Sequence, residues 1–124
     1  MKQEEKGILL NDLKYRLYTK TQCQCIWADA AKNGSVGVVN ELDTYLLDEL
    51  EMIGNPDCEY MFSDIKPFLR SMSSMTEEET YTYDRLVMCN AAWVVIDWLV
   101  KNHFDYLGLI KLGLALESPE GMYV

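Results

Sequence analysis

Long hydrophobic runs are missing from this chain of 124 residues. Its longest apolar stretch, "AAWVVI" (91–96), falls far short of the ~20 residues that a membrane-spanning helix needs. The N-terminal "MKQEEKGILLND" is charged and has no signal-peptide core. A cytoplasmic protein with no membrane association is therefore expected. Histidine is nearly absent as well, His103 being the only one. There is no H-E-x-x-H, no phosphate-binding glycine loop and no nucleophile elbow. "GLIKLG" (108–113) has two glycines five apart, but not in a phosphate-loop pattern. The chain reads as no enzyme, with no cofactor and no catalytic residues.

Positive charge is also scarce. Eleven Lys and Arg face twenty Asp and Glu, for a formal net charge of −9. From Glu41 to Glu59 there are seven acids (Glu41, Asp43, Asp48, Glu49, Glu51, Asp57, Glu59) and no base, and Glu77-Glu78-Glu79 forms a second cluster. Nucleic-acid affinity comes largely from Lys and Arg on phosphates. Nucleic acid is therefore not the expected partner, although "KYRLYTK" (14–20) is locally basic. Solubility is the ordinary role of such acidity. Its functional role would be to meet a basic protein partner, with Glu41, Asp43, Asp48, Glu49 and Glu51 as the interaction surface. Clustered carboxylates that imitate DNA phosphates are the alternative.

Cysteine is too sparse for a zinc framework. "QCQC" supplies Cys23 and Cys25, but there is no second close pair, only Cys58 and Cys89. Without a secretory signal the thiols are expected to be reduced. Cys23 and Cys25 then serve as small hydrophobes on one face of a strand, with Trp27. Metal is not expected to be needed for folding.

What is present is a mixture of periodicities. Leu13, Tyr15 and Leu17 alternate with Lys14 and Arg16, the pattern of a half-buried strand. "QCQCIWADA" (22–30) continues in the same style. Asn33-Gly34 is a hairpin turn pair, and "VGVV" (36–39) returns as a strand. "NELDTYLLDELEMIG" (40–54) fits a helix capped by Asn40 and ended by Gly54, or a strand joined by a turn to "CEYMF" (58–62). The strand is taken here, because of the resemblance described below. "SDIKPFLRSMSSM" (63–75) reads as a connector. Thr76 and Glu79 make a capping box, and "TYTY" limits that helix to one or two turns.

The main helix is 90–102, with Asn90 as N-cap and Asp97 and Lys101 as a favourable i,i+4 pair. Its polar stripe is so thin that burial on most sides is expected. Asp105 then caps a short helix, "YLGLIKL", which Gly113 ends. His103 and Phe104 form the joint between the two helices. His103 is thus expected to be a turn residue bonded to free backbone carbonyls, although Asp97 and Asp105 lie close in sequence. Six aliphatics between Tyr106 and Leu116 are expected to enter the core, and Met122 and Tyr123 to dock back after a turn at 118–121.

Two stretches, "IKPFLRSMSSMTEEE" (65–79) and "WLVKNHFDYLGLIKLGLALESPEGMY" (98–123), resemble a family of short uncharacterised proteins. These come from gut bacteria of the Bacteroides group and are often encoded among prophage and mobile-element genes. The usual forms run close to IKPYLRPMSSMTEEE and WLxxxHFDYRGLIxxGLALEAPEGMY. The match covers about a third of the chain, in order and spacing. Phe68 stands for a usual Tyr, Ser71 for Pro and Leu107 for Arg, the last making the short helix more apolar. The resemblance implies short strands ahead of the "IKP" segment, much like a small SH3-like barrel, and an accessory role in a phage or mobile element. It carries over no activity.

The combined expectation is an α+β unit. Residues 1–75 form a small, partly open, antiparallel SH3-like barrel with its connector. Residues 76–124 form a C-terminal helical segment packed on it, one main helix plus a short one. The expected function is non-enzymatic protein interaction. The alternative is a nucleic-acid-related role, as a DNA mimic or a barrel-type binder.

Overall fold

The computed structural model describes residues 2–28, 37–59 and 61–123. Helix α1 (Gln3–Tyr15) comes first, then strands β1 (Gln22–Trp27) and β2 (Gly37–Glu41), helix α2 (Thr44–Met52) and strand β3 (Phe62–Leu69). A 3-10 turn (Met72–Ser74) leads to helices α3 (Glu77–Met88) and α4 (Ala92–Lys101), and strand β4 (Leu116–Glu117) follows. The α+β class stands. The sheet has the order β2-β1-β3-β4, with β4 parallel to β3 and the other pairs antiparallel. It is open, and helices precede and interrupt the strands rather than all following them.

Side chains alternate across this sheet. Cys23, Cys25, Ile65, Pro67 and Leu69 are buried, while Gln22, Gln24, Lys66 and Phe68 between them are half-buried. The core is completed by Leu9 and Leu13 of α1, Leu46 and Leu50 of α2, and Leu109 and Leu114. Burying each leucine is worth ~1.5–3 kcal/mol. α1 also stabilises α2 directly. The α2 sequence has no base in its last turn, and Lys6 Nζ reaches across to donate to Glu51 O at 2.9 Å and Ile53 O at 3.3 Å. A cation on terminal carbonyls suits the negative end of the helix.

Several expectations are corrected. The alternation at 13–18 is no strand: Leu13 ends a helical stripe with Leu9, Asp12 and Arg16, all buried on one face of α1 and its cap. Residues 40–54 are mainly helix, capped not by Asn40 but by Asp43, which accepts from Leu46 N at 3.0 Å. The expected connector is in its first half β3, a strand paired on both sides. Pro67 is tolerated there for a geometric reason. The Leu42 N–H to Thr21 O bond sets odd β1 residues toward β2 and even ones toward β3. Pro67, opposite Cys23, therefore sits where an N–H would face away from β1. The Asn33-Gly34 turn lies outside the described residues.

The Thr76–Glu79 capping box is present: Thr76 Oγ1 accepts from Glu79 N at 3.1 Å and Glu79 Oε1 from Thr76 N at 3.0 Å. Its helix runs to twelve residues rather than one or two turns, and none of them is buried. α4 is likewise less covered than its composition implies. It buries Leu99 and Val100 near its C-terminal end, while Trp93 is 76% exposed. Asn90 is not its N-cap but a left-handed turn residue (φ 58°) between α3 and α4.

Residues 106–113 form turns, not a short helix, and Gly108 (φ 75°) and Gly113 (φ 77°) interrupt helical geometry. Asp105 nevertheless caps them. Its Oδ1 accepts from Leu109 N at 2.8 Å and its Oδ2 from Ile110 N at 2.9 Å. Asp105 is buried, so removing the carboxylate strands two N–H groups. Asp105→Ala should cost ~2 kcal/mol in urea unfolding, and Asp105→Asn less. A change near zero for the alanine variant would refute this role.

Candidate functional site

The turns after α1 and the turn after α4 face one another across a cleft of 430 Å³, lined by Lys20, Gln22, Arg70, Lys101, His103 and Tyr123 among others. Two of these residues have left-handed backbones without being glycine: Lys20 (φ 62°) and His103 (φ 65°). Such conformations cost free energy and persist only where surrounding contacts hold them. His103 is held from several sides. Its N–H bonds to Val100 O at 3.0 Å, and its C=O accepts from Arg70 N at 2.7 Å. Its ring stacks on Tyr123 at 3.8 Å between centroids.

The two stretches that carry the family resemblance meet here. Phe68 and Leu69 pair with Leu116 and Glu117, and Arg70 bridges to Phe104. The Arg70 guanidinium lies 4.3 Å over the Phe104 ring and forks onto Glu79 at 2.7 and 2.8 Å. These hydrogen bonds, above all, hold the Glu79 carboxyl down to about 2. Tyr123 docks as expected. Its hydroxyl donates to Phe68 O at 2.7 Å and accepts from Gln22 N at 2.8 Å.

A chain of hydroxyls determines which ring nitrogen of His103 carries the hydrogen. Thr19 Oγ1 donates to Arg16 O at 2.6 Å. A hydroxyl has one hydrogen, so in the 2.9 Å contact between Thr19 and Thr21 the donor is Thr21. Thr21 then has only acceptor capacity left for His103 Nδ1 at 3.1 Å. The tautomer assigned by this network is Nδ1–H, with a bare lone pair on Nε2. Nε2 has no hydrogen-bond partner among the described residues and is not sealed from solvent, and His103 lines the cleft. The expected bond from His103 to free backbone carbonyls is replaced by this side-chain chain. Neither Asp97 nor Asp105 reaches the ring: Asp97 pairs with Lys101 at 2.9 Å and Asp105 caps the 106–113 turns.

Burial, and then the Arg16 and Arg70 cations, bring the His103 pKa down to about 4 from the usual 6.5. The folded imidazole is therefore neutral where the unfolded one begins to protonate. Its contribution to stability is complete above pH 6.5 and is lost as pH falls toward 4. His103→Asn keeps a residue that tolerates the left-handed backbone and should flatten the urea midpoint between pH 6.5 and 4.5. An unchanged slope would mean that other groups set it. Glu79 does not compete there, since its contribution is present above 4.5 and lost only toward pH 2.

Of the acidic candidates, Glu41 at the end of β2 also lines this cleft, whereas Asp43 caps α2 and Asp48, Glu49 and Glu51 lie on it. Glu41, Asp43, Asp48 and Glu51 are exposed, but Glu49 is buried and accepts from Met61 N at 3.0 Å. β2 is an edge strand among the described residues, and the alternation set by Leu42 turns the N–H groups of Val39 and Glu41 outward. Val39, Tyr45 and Met61 are exposed apolar residues in this region. In the basic stretch 14–20 Arg16 is wholly buried, which leaves Lys14 and Lys20 at the surface.

Cys23 and Cys25 face the core, as expected, and burial raises both thiols. Cys58 is half-buried and Cys89 exposed. Among the described residues no three His, Cys, Asp or Glu side chains are grouped to hold a metal ion. No helix among them is long and apolar enough to cross a membrane. Neither family models, nor curated proteins, nor solved structures match the chain.

Proposed function

We propose that this is a non-enzymatic accessory protein of the prophage and mobile-element family it resembles, and that it works by binding a basic segment of a protein partner along β2. The observation that carries the reading is the outward edge of β2, whose outward N–H groups have no partner among the described residues, beside exposed Val39, Glu41 and Asp43. An exposed edge accepts an added strand. The acids around it, with no base from 37 to 59, favour a Lys- or Arg-rich strand over an acidic one. Carboxylates cannot by themselves distinguish a basic DNA-binding partner from any other. The DNA-mimic reading therefore becomes the case in which the captured partner is a DNA-binding protein.

Capture from host lysate tests this, with three baits. Val39→Pro removes an outward N–H without touching the bonds to β1, and a Glu41→Lys, Asp48→Lys variant reverses charge. Both should lose the partner held by the native chain. Retention should weaken in 0.5 M salt, which screens surface charge beyond ~4 Å. A partner held equally by all three baits would place the interaction elsewhere.

A further inference from the structure

The cleft at His103 shares only Glu41 with the β2 surface described above, and its chemistry is of a different kind. In a chain of net charge −9, its lining holds Lys20, Arg70 and Lys101 against one acid, Glu41. Arg70 already has its carboxylate, from Glu79. Lys20 makes no ion pair among the described residues, and Lys101 holds only an exposed, solvent-screened one with Asp97. Two lysines from separate parts of the chain thus line a space that the neutral His103 ring also lines, and the Lys101 ammonium must exchange its exposed pairing with Asp97 to reach a ligand there. Ammonium groups donate only, and Nε2 accepts only. A matching ligand must carry negative charge and, apart from it, a hydrogen-bond donor.

We propose that this cleft binds a small phosphate monoester bearing a free hydroxyl, with Lys20 and Lys101 on the phosphate and His103 Nε2 accepting from the hydroxyl. A phosphate dianion answers two lysines, whereas a carboxylate answers one. The volume of 430 Å³ lies in the range of small-molecule sites and exceeds what bare phosphate fills. The stack on Tyr123 and the bond to Thr21 hold the ring in place before the ligand arrives, so little ordering cost falls on binding.

His103 is the only histidine, so its imidazole nitrogen resonances need no assignment. In the full-length protein at pH 7 they should show hydrogen on Nδ1 and a bare Nε2. Ribose 5-phosphate should shift Nε2 saturably. Ribose, gluconate and inorganic phosphate should each bind at least about tenfold more weakly. Lys20→Asn, which suits the left-handed backbone, should weaken ribose 5-phosphate about tenfold, and so should Lys101→Ala on the exposed side of α4 should the first variant fold poorly. Hydrogen on Nε2, no saturable shift, gluconate binding as well as the phosphate ester, or undiminished binding by both lysine variants would each overturn the proposal. None of these outcomes bears on the β2 reading, because β2-edge baits are scored by protein capture.

Discussion

Deleting residues 105–124 should abolish cooperative folding. Leu109, Leu114 and Ala115 belong to the same buried cluster as Leu9, Leu13 and Leu69. Ile110 and Leu116 are half-buried, while Leu107 and Leu112 are exposed. The two buried leucines and the two half-buried aliphatics together are worth ~5–9 kcal/mol, comparable to the 5–15 kcal/mol that holds a typical domain folded. The deletion also removes Asp105, the β4 pairing and the Tyr123 hydroxyl that ties β1 to β3. Circular dichroism with thermal melting checks this. A soluble truncated chain that melts cooperatively near the intact one would make the segment peripheral.

Arg16→Ala should be the most damaging single substitution, at ~3–5 kcal/mol. Arg16 is wholly buried, donates from Nε to Asp12 Oδ2 at 2.8 Å, and donates from Nη2 to Phe104 O at 2.7 Å. It thereby ties the end of α1 to the turn after α4. Without it, Asp12, itself 1% exposed, loses its counter-ion. Burial already raises the Asp12 pKa against the pull of Arg16, and in the variant nothing opposes burial. The folded carboxyl stays protonated while the unfolded one ionises, so the loss should deepen as pH rises above about 4. Arg16→Met combined with Asp12→Leu should recover much of it, since a buried ion pair replaced as a unit is often neutral. Urea unfolding of the single and double variants at pH 4.5 and 7 measures both effects. A double variant no better than Arg16→Ala would show that the Phe104 bond, not the stranded charge, matters most.

What could be read from the residues alone was what is decided within a few positions of them. The Thr76–Glu79 box closes on itself within one turn, and Asp105 reaches N–H groups four and five residues on. The alternation of Cys23 and Cys25 reported a strand with one face in the core. His103 was recognisable as the turn that ends an apolar helix, although the second helix expected after it is a run of turns. Net charge and the lack of catalytic motifs are likewise properties of the chain, whatever its fold.

Only the tertiary structure decided the rest, because the deciding contacts are distant. Residues 44–52 are helix partly because Leu46 and Leu50 meet the core and Lys6, some 45 positions away, caps the end. Three alternating residues at 13–17 suit a strand as well as the last turn of a helix, and only burial of Arg16 against Phe104, 88 positions on, selects the helix. Exposure of Trp93 depends on what the fold places over α4, which its own composition does not encode. The cleft combines residues from 19–22, Arg70, the end of α4 and Tyr123. The hydroxyl chain that leaves His103 Nε2 bare spans 87 positions from Arg16 to His103. No local pattern marks such a site, since each of its residues is ordinary until the sheet brings them together.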